Sequence, residues 1–528
     1  MKTAGNARWW FWLFLFAVPL FASLNQTLPT WHWAYDVIRD LRIRVVLPEL
    51  SDLEQPYTRG DVARAVMSVR KKMDNGQVKS DKMIRQLLER LETEFAVEID
   101  QLDKEELGKK GTPLSAGLRL QPDIVTDEES TELKGMYRSK LSVDLTENIT
   151  VYNAIAFDRY SAYDSLYVGK KWRNLVAYTE QGYITMNFRP FFLKFGRDFL
   201  RWGPGGSGTL FFSNLTRPLD QFVGSFTAGP FTYTFFTGFL DAMKVPVGEE
   251  AAGDSALYQR YAAAHRMTGR FFKGRLELAL TEAVLYGGRH RGLDWVYLNP
   301  FVVYYDAELN RTVKDNKFVS LELAAYPFRK FRIAGSFLID DIQIEKTRSG
   351  DLEPNEIGFN IHTDWADPVG LSGATISAEY VRVTNRTYKT ANPWETFLHR
   401  NQPLGHPLGN DFDLIQAGVS KWFGADLWMG VQYEHVRKGE GSIYTPWDAP
   451  WKDKTLEEGY SEPFPTGVVE KRDHIRLEFR YQPGIHWGIQ GEVVSSLYQN
   501  YQHVQDVEES FFEWRIGVWW DGEFLVMF

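Results

Sequence analysis

The stretch Phe512-Glu-Trp-Arg-Ile-Gly-Val-Trp-Trp-Asp-Gly-Glu-Phe-Leu-Val-Met-Phe528 decides how the rest of the chain is read. Phe512, Trp514, Ile516, Val518, Trp520, Phe524, Val526 and Phe528 all fall on even positions, while Glu513, Arg515, Asp521 and Glu523 fall on odd ones. A period of two is that of a β-strand, whose side chains alternate between its faces. Asp521-Gly522 is a strong hairpin signal. A two-residue turn there would put Trp520 opposite Glu523 and switch the apolar phase. The phase instead runs straight through, so the pattern predicts one long strand with one aromatic face and one charged face.

The same pattern recurs upstream. Ile475, Leu477, Phe479 and Tyr481 alternate with His474, Arg476, Glu478 and Arg480. Ile485, Trp487, Ile489 and Val493 alternate with His486, Gln490 and Glu492. Leu276, Leu278 and Leu280 alternate with Arg275, Glu277 and Thr281, and Phe231, Tyr233 and Phe235 with Thr232 and Thr234. A soluble sandwich also alternates, but its apolar faces fill a core between two sheets. Charges on many polar faces and rings on many apolar ones fit a wall with lipid outside and a wet lumen inside.

Connections sort by length. Short ones are expected at Glu147-Asn148, Arg189-Pro190, Gly229-Pro230, Lys273-Gly274, Pro327-Phe328, Ala366 to Leu371, Gly424-Ala425 and Gln482 to Gly484. Long ones are expected at Pro122–Gly135, Tyr160–Asn174, Gly203–Pro218, Ala242–Arg266, Tyr286–Lys317, Asp341–Glu356, Thr384–Asp411, Lys438–Lys471 and Ser495–Ser510. Short and long alternate, as in outer-membrane barrels with periplasmic turns and outward loops. The fold expected is an all-β transmembrane barrel of about 18 antiparallel strands over 114–528, with an aromatic residue, Phe528, as assembly signal.

The totals agree. The chain has 528 residues with 15% aromatics, 18 of them Trp, and no cysteine, which excludes disulfides and cysteine metal sites. Mean hydropathy is −0.34, compatible with alternating strands. A net charge of −9 argues against a nucleic-acid partner. Residues 1–22 read as a signal peptide: Lys2 and Arg8, the apolar run Trp9–Phe21, then Leu20-Phe21-Ala22 as cleavage site. That implies export, and with the barrel pattern a place in the outer membrane of a Gram-negative cell.

Residues 23–113 form a separate helical domain, expected in the periplasm. Ala34, Val37, Ile38 and Leu41 lie on one helical face, Thr58 is a candidate N-cap of a second helix, and Met83–Phe95 reads as a third. His32-Trp-Ala-Tyr and Thr58-Arg-Gly-Asp-Val-Ala resemble half of an S-layer-homology module. That resemblance implies peptidoglycan or another wall polymer as a partner; the alternative is a plain helical plug.

Catalytic patterns are missing. Gly206-Ser207-Gly208 is not a nucleophile elbow and Gly203–Thr209 lacks the phosphate-loop lysine. His399, His406, His435 and His486 do not have metal-ligand spacing. No enzyme activity, metal or cofactor is expected. The outer loops instead interleave rings with polar groups, a mixture that suits sugars. Trp394, His399, Arg400, Tyr444, Trp447 and Trp451 are the candidate polysaccharide-binding residues. Asp198, Arg201, Trp202 and Arg217 flank Gly203-Pro-Gly-Gly206 and are the candidates for a loop that seals the barrel mouth.

Several segments carry a more specific resemblance: Phe195-Gly-Arg-Asp, Trp202-Gly-Pro-Gly, Gly208-Thr-Leu-Phe-Phe-Ser-Asn, Arg217-Pro-Leu, Leu298-Asn-Pro-Phe, Tyr380-Val-Arg-Val-Thr-Asn-Arg-Thr-Tyr and His399-Arg-Asn-Gln-Pro-Leu-Gly-His-Pro-Leu-Gly-Asn. Together they resemble the Wzi capsule-assembly family of outer-membrane proteins. The resemblance implies an 18-stranded barrel closed by its helical domain and loops. It further implies a non-catalytic role in attaching or organising capsular or other extracellular polysaccharide. The competing reading is an outer-membrane pore for sugars or other solutes.

Overall fold

The computed structural model describes residues 23–526 apart from 46, 78–81, 107–113, 128–129, 247–254, 312–314 and 345–346. The signal segment and Phe528 lie outside the described residues.

Eighteen antiparallel strands close into one barrel. Leu114–Thr126 opens it and Glu508–Val526 completes it, the two paired from Leu114 opposite Val526 to Thr126 opposite Trp514. Asp521 and Gly522 sit within the last strand, opposite Arg119 and Leu118. Alternation sorts the wall by solvent. Ile516, Val518 and Trp520 are exposed on the outside, as are Leu118, Leu141 and Ile475. Arg119, Arg138, Glu180 and Asp521 are buried inside. These inward charges pair between strands: Arg119 with Asp521 of the adjacent strand at 3.3 Å, and, each across one intervening strand, Lys140 with Asp521 at 2.9 Å and Arg138 with Glu180 at 2.7 Å. Among the described residues no helix is long and apolar enough to cross a membrane.

Turns at 147–148, 189–190 and 229–230 fall where expected. At Pro327-Phe328 the strand instead continues to Phe328, and the turn is Arg329-Lys330. Three expected long loops are much shorter. The strands run to Thr126 and from Thr131, to Pro246 and from Ser255, and to Gln499 and from Glu508. There the ladder of backbone hydrogen bonds continues after apolar alternation has stopped, because water on both faces does not break strand pairing.

Among the described residues the helical domain has four helices: α1 Ala34–Arg44, α2 Arg59–Asp74, α3 Lys82–Glu94 and α4 Ala96–Glu106. Thr58 caps α2, its hydroxyl accepting from the Asp61 amide at 3.0 Å. Ala34, Val37, Ile38 and Leu41 of α1 pack with Val62, Val66, Leu87, Leu88 and Leu91, and this core reaches Trp422 and Trp428 of the barrel. The domain sits at the end of the barrel that carries the short turns. Asn25 donates to Glu147 O, Arg44 reaches Asp367 and Ala374 O, and Arg90 donates to Ala425 O.

The segment before and between these helices enters the lumen. Trp31 lies between the guanidinium groups of Arg119 and Arg138, 4.8 and 4.1 Å from its ring. Thr27 bonds Tyr183 and Asp198 on the wall. Further in, Glu54-Gln55 forms a two-residue antiparallel ladder with Arg201-Trp202, which descends from the opposite mouth.

Candidate functional site

Chain geometry makes the Gly-Pro-Gly loop fold inward. In the strand Phe191–Asp198, Phe191 and Phe195 are exposed while Lys194 and Asp198 are buried. The Asp198 carboxylate is held by Lys194 at 2.6 Å, Gln181 at 2.7 Å and Thr27 at 3.0 Å. The chain then turns into the lumen instead of over the rim. Trp202 is 0% exposed; Phe211 stacks on it at 6.2 Å, and Phe212 and Phe236 meet it edge-on at 5.4 and 5.8 Å. On its other side lies Arg266, paired with Glu322 at 2.6 Å. Both partners of that pair are fully buried, so its worth depends on further bonds to the same guanidinium, which Thr281 and Leu53 O provide.

Gly205 shows why the loop needs glycine. Its φ is +143°, and a Cβ there would lie 2.0 Å from Gly208 O. Beyond it, the Gly206 and Ser207 amides donate to Glu379 at 3.0 and 2.8 Å, and Asn360 donates to Pro204 O at 3.0 Å. Arg201 donates to Gly205 O at 2.6 Å and lines a cavity of about 680 Å³ between loop and helical domain. Arg39, Arg332, His362, Glu434 and Arg480 line it too. Arg217 donates to Ser161 Oγ at 2.8 Å and packs over the ring of Tyr167. Asp198, Arg201, Trp202 and Arg217 are thus all engaged with neighbouring segments.

Two loops roof the same mouth. Loop 384–411 packs Phe397, Leu398 and Leu404 onto Phe211, Phe318 and Leu338. Tyr388 stacks on Phe397 at 5.4 Å. His406 lies under the roof. The Leu408 amide donates to its Nδ1, so the neutral ring donates from Nε2 to Ser207 Oγ at 3.2 Å. Burial pushes this imidazole down to about 3. Burial also pushes the Glu395 carboxyl up to about 7, against the lowering effect of bonds from Asn392 and Thr390. Loop 439–469 is pinned by Arg386, which meets Asp448 at 2.8 Å and Glu462 at 2.6 Å. The Arg386 hydrogen bond holds the Asp448 carboxyl below the usual carboxylate range.

The six sequence-selected sugar candidates divide by exposure. Tyr444 is 51% exposed and donates to Asn401 O at 2.9 Å. Trp394 is half-buried and stacks on Tyr258 at 4.5 Å. Arg400 is half-buried too, with its amide on Asp241 at 2.7 Å. Trp447 is half-buried, edge-on to Trp451 at 5.9 Å. Trp451 and His399 are different. Trp451 is 1% exposed under Arg386, Trp447 and Tyr460, and His399 is buried against Asp241. Neither offers a free face to a polymer; both brace the roof. The loop between Asp158 and Val176 is absent from the sequence candidates, yet it presents Lys170, Lys171, Trp172 and Arg173 to solvent. The readable signal was that run of three cations around one ring. Among the described residues no group of three or more histidines and carboxylates is placed to hold a metal.

A family model described as "Capsule assembly protein Wzi" matches residues 108–510. The chain belongs to the Wzi capsule-assembly family. A solved family structure shares the fold: Wzi of Escherichia coli, described as an outer-membrane protein involved in group 1 capsule assembly and a carbohydrate-binding β-barrel. It is 13% identical, with 93% of this chain and 99% of that one covered and a TM-score of 0.59. OprD of Pseudomonas aeruginosa aligns at 10% identity over 79% of this chain and 97% of its own, with a TM-score of 0.44. No curated protein matches the chain in sequence. Family membership and barrel together place the protein in the outer membrane.

Proposed function

We propose that this outer-membrane protein binds or organises capsular or extracellular polysaccharide at the cell surface, without catalysing a reaction. The observation that carries the reading is the meeting of Glu54-Gln55 with Arg201-Trp202 inside the barrel. A chain whose segments meet inside its lumen from both ends is suited to work at its outer surface. In the family, the solved Wzi is described as carbohydrate-binding. Asp198, Arg201, Trp202 and Arg217 are the seal in this reading. Trp394, Arg400, Tyr444 and Trp447 are the polymer contacts on the roof, with Trp451 and His399 beneath them as supports. The helical domain lies in the periplasm, where peptidoglycan is its nearest polymer.

Two measurements test this. Planar-bilayer recordings are expected to show no steady large openings; such openings would make the protein a pore. Cells carrying Tyr444→Ala with Trp447→Ala are expected to shed more surface polysaccharide than wild type at equal protein level. Unchanged retention would remove these two residues from the contact set.

A further inference from the structure

The loop between Asp158 and Val176 is built unlike the other outer loops. Its inner part is tied to groups that face the lumen. Tyr160 donates to Asp123 at 2.7 Å, Ser161 N donates to Asp158 at 3.0 Å, and Arg217 packs over Tyr167 at 4.5 Å. Gln402 of the roof reaches Asp164 at 3.4 Å. Since Asp123 and Arg217 lie on the lumen side of the wall, the loop leans over the mouth and away from the surrounding bilayer.

Its tip is a tight turn. Trp172 and Leu175 exchange both backbone hydrogen bonds, at 2.9 and 3.1 Å, with Arg173 at φ +53° between them. The Asn174 side chain ties the turn to Tyr163 at 3.0 Å. This rigid turn leaves Trp172 72% exposed. Lys170, Lys171 and Arg173 are exposed around it. Lys171 donates to the Asp164 carbonyl and lies over the Tyr167 ring, and among the described residues neither it nor Lys170 nor Arg173 makes an ion pair. Asp158 and Asp164 accept the bonds that fold the loop. Between residues 159 and 175 the sequence holds Arg159, Lys170, Lys171 and Arg173 against one acid, Asp164. This in a protein of net charge −9 is a local reversal of sign.

An exposed indole held by a rigid turn costs little ordering entropy when something flat stacks on it. Unpaired cations beside it attract carboxylates or phosphates. We infer that the Lys170–Arg173 tip is a binding site for an acidic polysaccharide, Trp172 stacking on a sugar ring while Lys170, Lys171 and Arg173 meet the negative groups of that and adjoining sugars. This rests on the polysaccharide-binding function proposed above and names its substrate class. Position over the mouth favours a polymer over the phosphates of neighbouring lipid.

The test uses the full chain with polygalacturonate as probe and its carboxyl-reduced form as the neutral control. Wild-type protein is expected to prefer the acidic polymer, with affinity falling as salt rises. K170E/K171E/R173E is expected to weaken binding about tenfold or more and to flatten the salt dependence. W172A is expected to weaken binding severalfold while leaving the salt dependence in place. Equal affinity for the two polymers, or a triple variant that binds like wild type, would overturn the site. So would an effect of the triple variant confined to lipopolysaccharide vesicles, which would make the tip a headgroup anchor. Retention on cells separates this from the parent reading. Normal retention in the triple variant, with loss on deleting the protein, sinks the site alone. Normal retention on deletion sinks the function itself.

Discussion

Two outer loops of this barrel, 159–175 and 199–218, begin from similar material. Each has aromatic residues, arginines and glycine between two wall strands. In one, Trp202 turns into the lumen and vanishes from solvent; in the other, Trp172 is 72% exposed. The difference lies in what the neighbouring wall supplies. Loop 199–218 meets inward apolar residues, Phe236, Ala264, Leu285 and Leu338, and a carboxylate, Glu379, for its amides. Loop 159–175 meets Asp123 and Asp158, which bind its base and leave its tip no apolar partner. A ring in a loop is therefore a seal or a contact according to the wall beneath it.

The largest way to break this comparison is Trp202→Ala. Deleting a fully buried indole is expected to cost about 3–5 kcal/mol, read from denaturant unfolding in lipid vesicles. A loss below about 1 kcal/mol would show that the inward loop is not packed as described.

A pH change comes next, and its two signs differ. His406 is neutral in the fold, with its pKa depressed to about 3, so the stability it lends is complete above the ordinary value near 6.5 and falls as pH drops through that value. Glu395, raised to about 7, contributes fully below its ordinary 4.5 and loses that contribution as pH rises through about 7. From pH 7 to 5, the amides of Gly203 and of residues 205–208 are expected to lose protection from hydrogen exchange, corrected for intrinsic rate, while those around Glu395 gain it. The tip of loop 159–175, which contains no histidine, should stay level. A parallel change in all three would show that His406 does not set the pH response of the inward loop.

The smallest effect expected is that of Trp172→Ala on stability, within about 0.5 kcal/mol. A larger loss would mean that this ring packs against something after all.

Much of the barrel was legible because a lipid-facing strand must alternate. The unbroken phase of Phe512 to Val526 outvoted a hairpin signal at Asp521-Gly522, and Asp521 proves to be an inward charge between Arg119 and Lys140. Strand ends above the bilayer were not legible: beyond Pro122 or Ala242 the pairing persists without an apolar period to mark it. Among the site candidates, Tyr444 and Trp451 belong to the same loop and look alike in sequence. Their fates depend on Asn401 and Arg386, residues more than forty positions away. Periodicity carries no information about such contacts.

The two residue pairs that join Glu54-Gln55 to Arg201-Trp202 have a mechanical meaning. With Gly203 N on Leu53 O at 2.8 Å and Arg266 on the same carbonyl, they connect the roof of the barrel to its helical domain through the interior. Tension applied by a long polymer at the outer loops would be carried along a short β-ladder in shear, past the bilayer, to the helices at the far end. In this respect the molecule is a rivet through the membrane, its two heads fastened by one shank.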